Sequence, residues 1–148
     1  MEKELNKHIN AEFYSAHLYL PMSAYFKSID LLGFANWMQV QFEEEMSHAM
    51  RFFEFLDQMD GRVKLTKIEA PPVEWESTVS AFEQTYKHEQ IVSKQIHKLV
   101  SLALKEQDHA TNNFLQWFVA EQVEEESSVK AILKKLQFVG DSPASILM

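Results

Sequence analysis

The sequence predicts an all-α chain, a four-helix bundle with one long crossover between the second and third helices. Apolar residues recur at alternating steps of three and four through four long segments, the period of a single helix face. Three glycines and four prolines in 148 residues leave few breaks, which favours long helices over an all-β chain. Between the segments, two connections are short and one is long. A chain of this length is a single domain that can bury a real core.

The first stripe reads Leu5, Ile9, Glu12, Ala16, Tyr19, Ser23, Phe26. The second reads Ala35, Met38, Phe42, Glu45, Ala49, Phe52, Leu56, Met59. Val79, Phe82, Tyr86, Glu89, Ser93, Ile96, Val100 and Ala103 form the third. The fourth runs Thr111, Leu115, Phe118, Gln122, Glu125, Val129, Ile132, Leu136. Asp30 is expected to cap the second helix and Gly61 to end it; Ser77 caps the third and Asp108 the fourth. Pro21 falls inside the first helix, where it removes the bond to the His17 carbonyl and predicts a kink. Connections near 28–32 and 107–109 are short enough to make each flanking pair an antiparallel hairpin.

Residues 62–77, "RVKLTKIEAPPVEWES", behave differently. Pro71 and Pro72 forbid a helix there, and Val63, Leu65 and Ile68 can lie along an apolar surface. At about 3.3 Å per residue the stretch reaches roughly 50 Å. A helix of about 30 residues spans roughly 45 Å. The linker can therefore cross the bundle and leave the second and third helices parallel.

Each stripe carries one glutamate near its middle: Glu12, Glu45, Glu89 and Glu125. Counted from the turns, all four fall at nearly one level. Burying unpaired carboxylates costs several kcal/mol, and like charges nearby add to that. Either most are protonated or divalent cations neutralise them. His48, one turn after Glu45, favours cations, because an imidazole beside carboxylates is a good ligand for iron, manganese or zinc. Carboxylates with one or two histidines inside a four-helix bundle are the recurrent recipe for a paired iron or manganese site.

The Glu45–His48 spacing alone is a weak signal. The same spacing recurs by chance at Glu106 and His109, in a predicted turn, whereas the four-stripe register is the specific feature. The second half offers Glu89, Glu125 and Gln122 with no histidine, so one ion should be held more loosely than the other. Tyr19, two turns from Glu12, either bonds a neighbouring carboxylate or serves as a redox partner. Trp117 reads as core packing, and His8, His17, His88, His97 and His109 as surface or packing histidines. The runs Glu43–Glu45 and Glu124–Glu126 read as solvated faces apart from their inward members. Glu44, Glu121 and Glu124 flank the same level and could form an outer cation site.

The charge of −8 disfavours nucleic acid and anionic membranes as partners and suits cations. No cysteine is present, which excludes disulfides and thiolate chemistry and fits a reducing, cytoplasmic compartment. No apolar run approaches membrane-spanning length.

The segments "INAEFYSAHLYL", "GFANWM", "EEEMSHAMRFFEFL", "DGRVKL", "APPVEW", "YKHEQ", "NFLQWFVAEQVEEE" and "ILKKL" occur in the order in which the non-haem ferritins of bacteria and archaea carry similar ones. The chain resembles that family over nearly its whole length. The resemblance implies a ferritin-like homo-oligomer, a hollow shell of 24 subunits, that oxidises Fe(II) with O2 or H2O2 and stores ferric mineral inside. It further implies that Glu12 and His48 bind the first iron, that Glu45 bridges both, and that Glu89 and Glu125 bind the second with Gln122 adjacent. Glu44, Glu121 and Glu124 match a third iron site, and Tyr19 the tyrosine beside the centre. Bacterioferritin and rubrerythrin are similar bundles but carry Glu-x-x-His in both halves. The chain ends at "GDSPASILM", where family members continue into a short fifth helix, so that helix is expected to be absent. Two other readings of the metal site are a di-iron oxygenase or peroxidase acting on a small substrate, and a shell without turnover.

Overall fold

In a computed structural model that describes residues 1–140 and Ile146, residues 1–140 form four helices. They are α1 (Glu2–Ser28), α2 (Leu32–Gln58), α3 (Thr78–Lys105) and α4 (His109–Val139), and no strand occurs among the described residues. The chain divides into two compact units, Met1–Glu74 and Trp75–Met148. In the first, α1 packs on α2; in the second, α3 packs on α4.

All seven positions of the first stripe are buried. α1 continues unbroken through Pro21. In α2 the buried face carries Ala35, Met38, Gln41, Glu45, His48, Ala49, Phe52, Phe55 and Leu56. Phe42 is only half-buried, and Met59, already past the last turn, is 50% exposed. On α3, Val79, Tyr86 and Val100 are likewise half-buried, while Ala81, Thr85, Val92 and Leu99 join the interior. On α4, Leu133 takes the buried place expected of Ile132. These shifts are those of an apolar stripe wider than a strict three-four seam. Trp117 is more exposed than core packing requires, at 38%, and lies edge-on against Phe118 with ring centroids 4.9 Å apart.

Three helices end in the same way, and not as expected. Asp30 is not an N-cap: Leu31 holds that place in α2 without a side-chain cap bond. Asp30 instead has φ 59°, as do Asp60 at 59° and Gln107 at 55°. Around each, the next residue's amide reaches back five positions. Leu31 bonds the Phe26 carbonyl at 2.9 Å, Gly61 the Leu56 carbonyl at 2.8 Å and Asp108 the Ala103 carbonyl at 2.8 Å. The left-handed residues themselves donate to the carbonyls of Lys27, Asp57 and Leu104. Both bonds together make a Schellman ending, which satisfies carbonyls that a helix terminus leaves open. Gly61 follows the left-handed residue instead of occupying its place. Its lack of a side chain matters for packing, since a Cβ there would lie 2.6 Å from Leu56 Cδ1. Ser77 and Asp108 do cap as expected, accepting from Ser80 N at 3.0 Å and Thr111 N at 3.1 Å.

The linker turns back at Gly61 and follows α1 in the direction of that helix. Glu2 accepts from the Arg62 amide. Asn6 donates to the Arg62 carbonyl at 2.9 Å and accepts from Lys64 N at 2.7 Å. One turn on, Asn10 donates to Thr66 Oγ1 at 2.7 Å and the Lys67 carbonyl at 2.9 Å. Advancing register against α1 is the course a crossover requires. Hydrogen bonds fix it more than apolar burial does, for Leu65 stays 69% exposed. The expected absence of a fifth helix concerns the end of the chain, where 141–145, 147 and 148 lie outside the described residues.

Candidate metal centre

Glu45 and His48 stand three apart on α2, so their side chains project from one face. Glu12 on α1 comes to meet them across the hairpin. All three are buried, Glu12 and Glu45 to 1% exposure. One potential ligand atom from each lies within 4.8 Å of the others. His48 Nδ1 is 3.5 Å from Glu45 Oε2 and 3.9 Å from Glu12 Oε2. Those separations are long for hydrogen bonds. They are close to the roughly 3–3.5 Å expected between two ligands of one ion bonded at about 2.0–2.2 Å. Two buried carboxylates so near each other repel in a low-dielectric interior, and a divalent cation between them removes the conflict. The alternative of protonated, mutually bonded acids gives no role to an imidazole nitrogen facing both oxygens.

Behind Glu12 stands His8, one turn earlier on α1. His8 Nε2 donates to Glu12 Oε1 at 2.8 Å, and its ring lies against Phe52 with centroids 4.6 Å apart. Burial pushes the His8 imidazole down to about 3, so it is neutral and its ring proton serves the carboxylate. An imidazole that orients a ligating carboxylate is an outer-shell support. His8 is therefore more than the surface or packing histidine its type suggests, and its spacing of four from Glu12 is the signal in the sequence.

The second hairpin repeats the register. Glu89 on α3 and Gln122 on α4 are 33 residues apart, as are Glu12 and Glu45, and Glu125 follows Gln122 by three as His48 follows Glu45. Glu89, Gln122 and Glu125 are all buried. Gln122 Nε2 donates to Glu89 Oε2 at 3.1 Å and to the Glu89 carbonyl at 3.2 Å. Next to Glu89, burial lowers His88 to about 4. Tyr19 is wholly buried in α1. Glu44 and Glu121 are half-buried and Glu124 is exposed. Neither Glu44 nor Glu124 joins a group of three potential ligands among the described residues. Glu126, expected to be solvated, is half-buried and accepts from Ser93 Oγ at 2.6 Å.

Comparison with known proteins bears on these hairpins as a whole. The ferritin-like domain family matches residues 2–139. A bacterial non-heme ferritin of Bacteroides fragilis is 40% identical over 96% of this chain and 89% of its own length. One from Escherichia coli is 39% identical over 96% of this chain and 86% of its own. Among solved structures, an open-pore ferritin from the hyperthermophilic archaeon Archaeoglobus fulgidus superposes with a TM-score of 0.97 at 54% identity. The match covers 99% of this chain and 91% of that one. The four helices are thus those of the ferritin bundle, and the chain belongs to the ferritin family.

Proposed function

We infer that this chain is an iron-storage subunit with ferroxidase activity, oxidising Fe(II) and passing Fe(III) on to a mineral store. Membership of the ferritin family supports the activity, and the buried Glu12–Glu45–His48 group is the observation that carries it. Fe(II) is the substrate. Glu12, His48 and Glu45 take one ion; Glu89 and Glu125 take a second, with Gln122 adjacent and Glu45 bridging the two. In this reading the two hairpins act as one ferritin-like domain.

Two Fe(II) ions each give up one electron, which together reduce dioxygen to peroxide or peroxide to water. Hard carboxylate oxygens favour the ferric product. Tyr19 stands beside the pair, where its hydroxyl can bond a carboxylate or supply an electron. Glu44, Glu121 and Glu124 form an outer stop for a third iron between the centre and the store. The first ion has an imidazole besides its carboxylates and the second has carboxylates alone, so the first binds more tightly and the second departs more easily. That asymmetry suits a site that hands metal onward. Assembly into a 24-subunit shell follows the family, and such a shell works in the cytoplasm.

Aerobic addition of Fe(II) tests the reading. Storage predicts many irons per chain held as soluble mineral, in a particle near 24 subunits by light scattering. An oxygenase or peroxidase would stop at about two irons per chain. Oxidation no faster than in buffer would leave only a metal-binding scaffold.

A further inference from the structure

Ser93, on α3 one turn after Glu89, is 5% exposed and sits between two side chains of α4. Its Oγ donates to Glu126 Oε2 at 2.6 Å and receives Gln122 Nε2 at 3.2 Å. Gln122 Nε2 also faces Glu89 Oε2 at 3.1 Å and the Glu89 carbonyl at 3.2 Å. The direction of this chain of bonds is fixed by chemistry. An ionised carboxylate only accepts, so the single Ser93 proton goes to Glu126 and the hydroxyl's lone pair is left for Gln122. Three oxygens then surround one end of the amide, and that end must be the NH2 group. Rotating the amide would set its oxygen against all three.

We propose that Ser93 and Glu126 are positioning residues for the second iron. They lock the Gln122 amide in one orientation and, through its other N–H, hold the Glu89 carboxylate in place. Without Glu126 the hydroxyl can turn its proton to the Glu89 carbonyl four residues back, a bond serines commonly make within helices, or to Gln122 itself. The amide is then held less firmly, and with it the N–H that Glu89 Oε2 accepts. The first hairpin has alanines at the corresponding positions, Ala16 and Ala49, so this device acts on one half of the centre only. Outer-shell groups of this kind change metal affinity by about 10–100-fold. The proposal rests on the iron-site reading above.

Anaerobic Fe(II) titration by calorimetry separates the two ions and needs no turnover. Wild type should bind in two unequal steps. Ser93→Ala and Glu126→Ala should each weaken the looser step about tenfold and leave the tighter within about twofold, and Ser93→Thr should restore it. Unchanged affinities would overturn the proposal. So would both steps weakening together, which a mere tie between helices produces, or failure of Ser93→Thr to rescue. If Ser93→Ala does not fold, the half-exposed Glu126→Ala decides by the same criteria. Wild type that binds no Fe(II) would instead sink the functional reading, and this inference with it.

Discussion

Glu12, Glu45 and His48 in the first hairpin correspond in register to Glu89, Gln122 and Glu125 in the second. Each set brings two carboxylates and one neutral group, so the two halves have the same formal charge. They differ in the neutral group and in what already occupies the carboxylates. In the first, an imidazole nitrogen faces both carboxylates at distances an ion would bridge. In the second, an amide N–H is bonded to Glu89. An ion entering the second half competes with that bond, while one entering the first relieves a repulsion. If each half takes an ion, any inequality between the two would arise from ligand chemistry within equal sequence register, not from charge.

The harshest way to break this comparison is to make the halves alike. Glu45→Gln gives the first hairpin the carboxamide of the second and removes one of its two carboxylate charges. The initial rate of Fe(II) oxidation should fall by about 100-fold or more, the upper end of what metal-site supports cost, because a direct ligand is lost. Gln122→Ala should cost only about tenfold. Stopped-flow absorbance on Fe(II) addition measures both. Equal losses would show that the halves contribute equally.

A second contrast lies in how the helix ends are packed. All three Schellman endings share their backbone bonds, but only that of α2 is followed by glycine, with Leu56 pressed against it. Gly61→Ala should therefore destabilise the protein by about 1–3 kcal/mol, the usual range for overpacking. The urea unfolding midpoint reports it, and an unmoved midpoint would mean that Leu56 simply turns aside.

The supports behind each half invite a third test. His8→Leu removes the donor to Glu12 and should weaken the tighter Fe(II) step about tenfold. Thr85, the counterpart of His8 in the second hairpin, commits its hydroxyl proton to the Ala81 carbonyl of its own helix, 2.9 Å away, and not to a carboxylate. Thr85→Ala should leave the looser step where it was. A tenfold change from both variants would mean that burial, not hydrogen bonding, governs affinity here.

Much of this was legible from residue order. Stripe periodicity located all four helices, and the anomalous glutamates within the stripes are all buried, because helical geometry converts spacing into direction. Ser77 and Asp108 announced their caps by type and place. What escaped detection depends on contacts between segments distant in sequence. Asn6 and Asn10 look like ordinary surface residues until the linker lies on them. Ser93 and Glu126 read as a stripe position and a solvated charge until α3 and α4 pack. His8 is the exception, since Glu12 stands one turn away on the same helix. Asp30 was misread because its type suits both an N-cap and a left-handed turn. With a Schellman ending available to α1, the turn prevailed.

The smallest expected effect compares the two hairpin turns directly. Asp30 and Gln107 occupy the same left-handed position, with φ 59° and 55°. An L-residue there costs roughly 1–2 kcal/mol, less for aspartate, whose short polar side chain can bond locally. Glycine avoids that cost but loses about 0.5–1 kcal/mol through the freedom it gives the unfolded chain. Gln107→Gly should thus stabilise by about 0.5–1 kcal/mol, and Asp30→Gly by less, close to zero. Side-by-side urea midpoints would resolve the order. If Asp30→Gly gains more than Gln107→Gly, the aspartate carboxylate does nothing for its turn, and the two connections differ in sequence but not in strain.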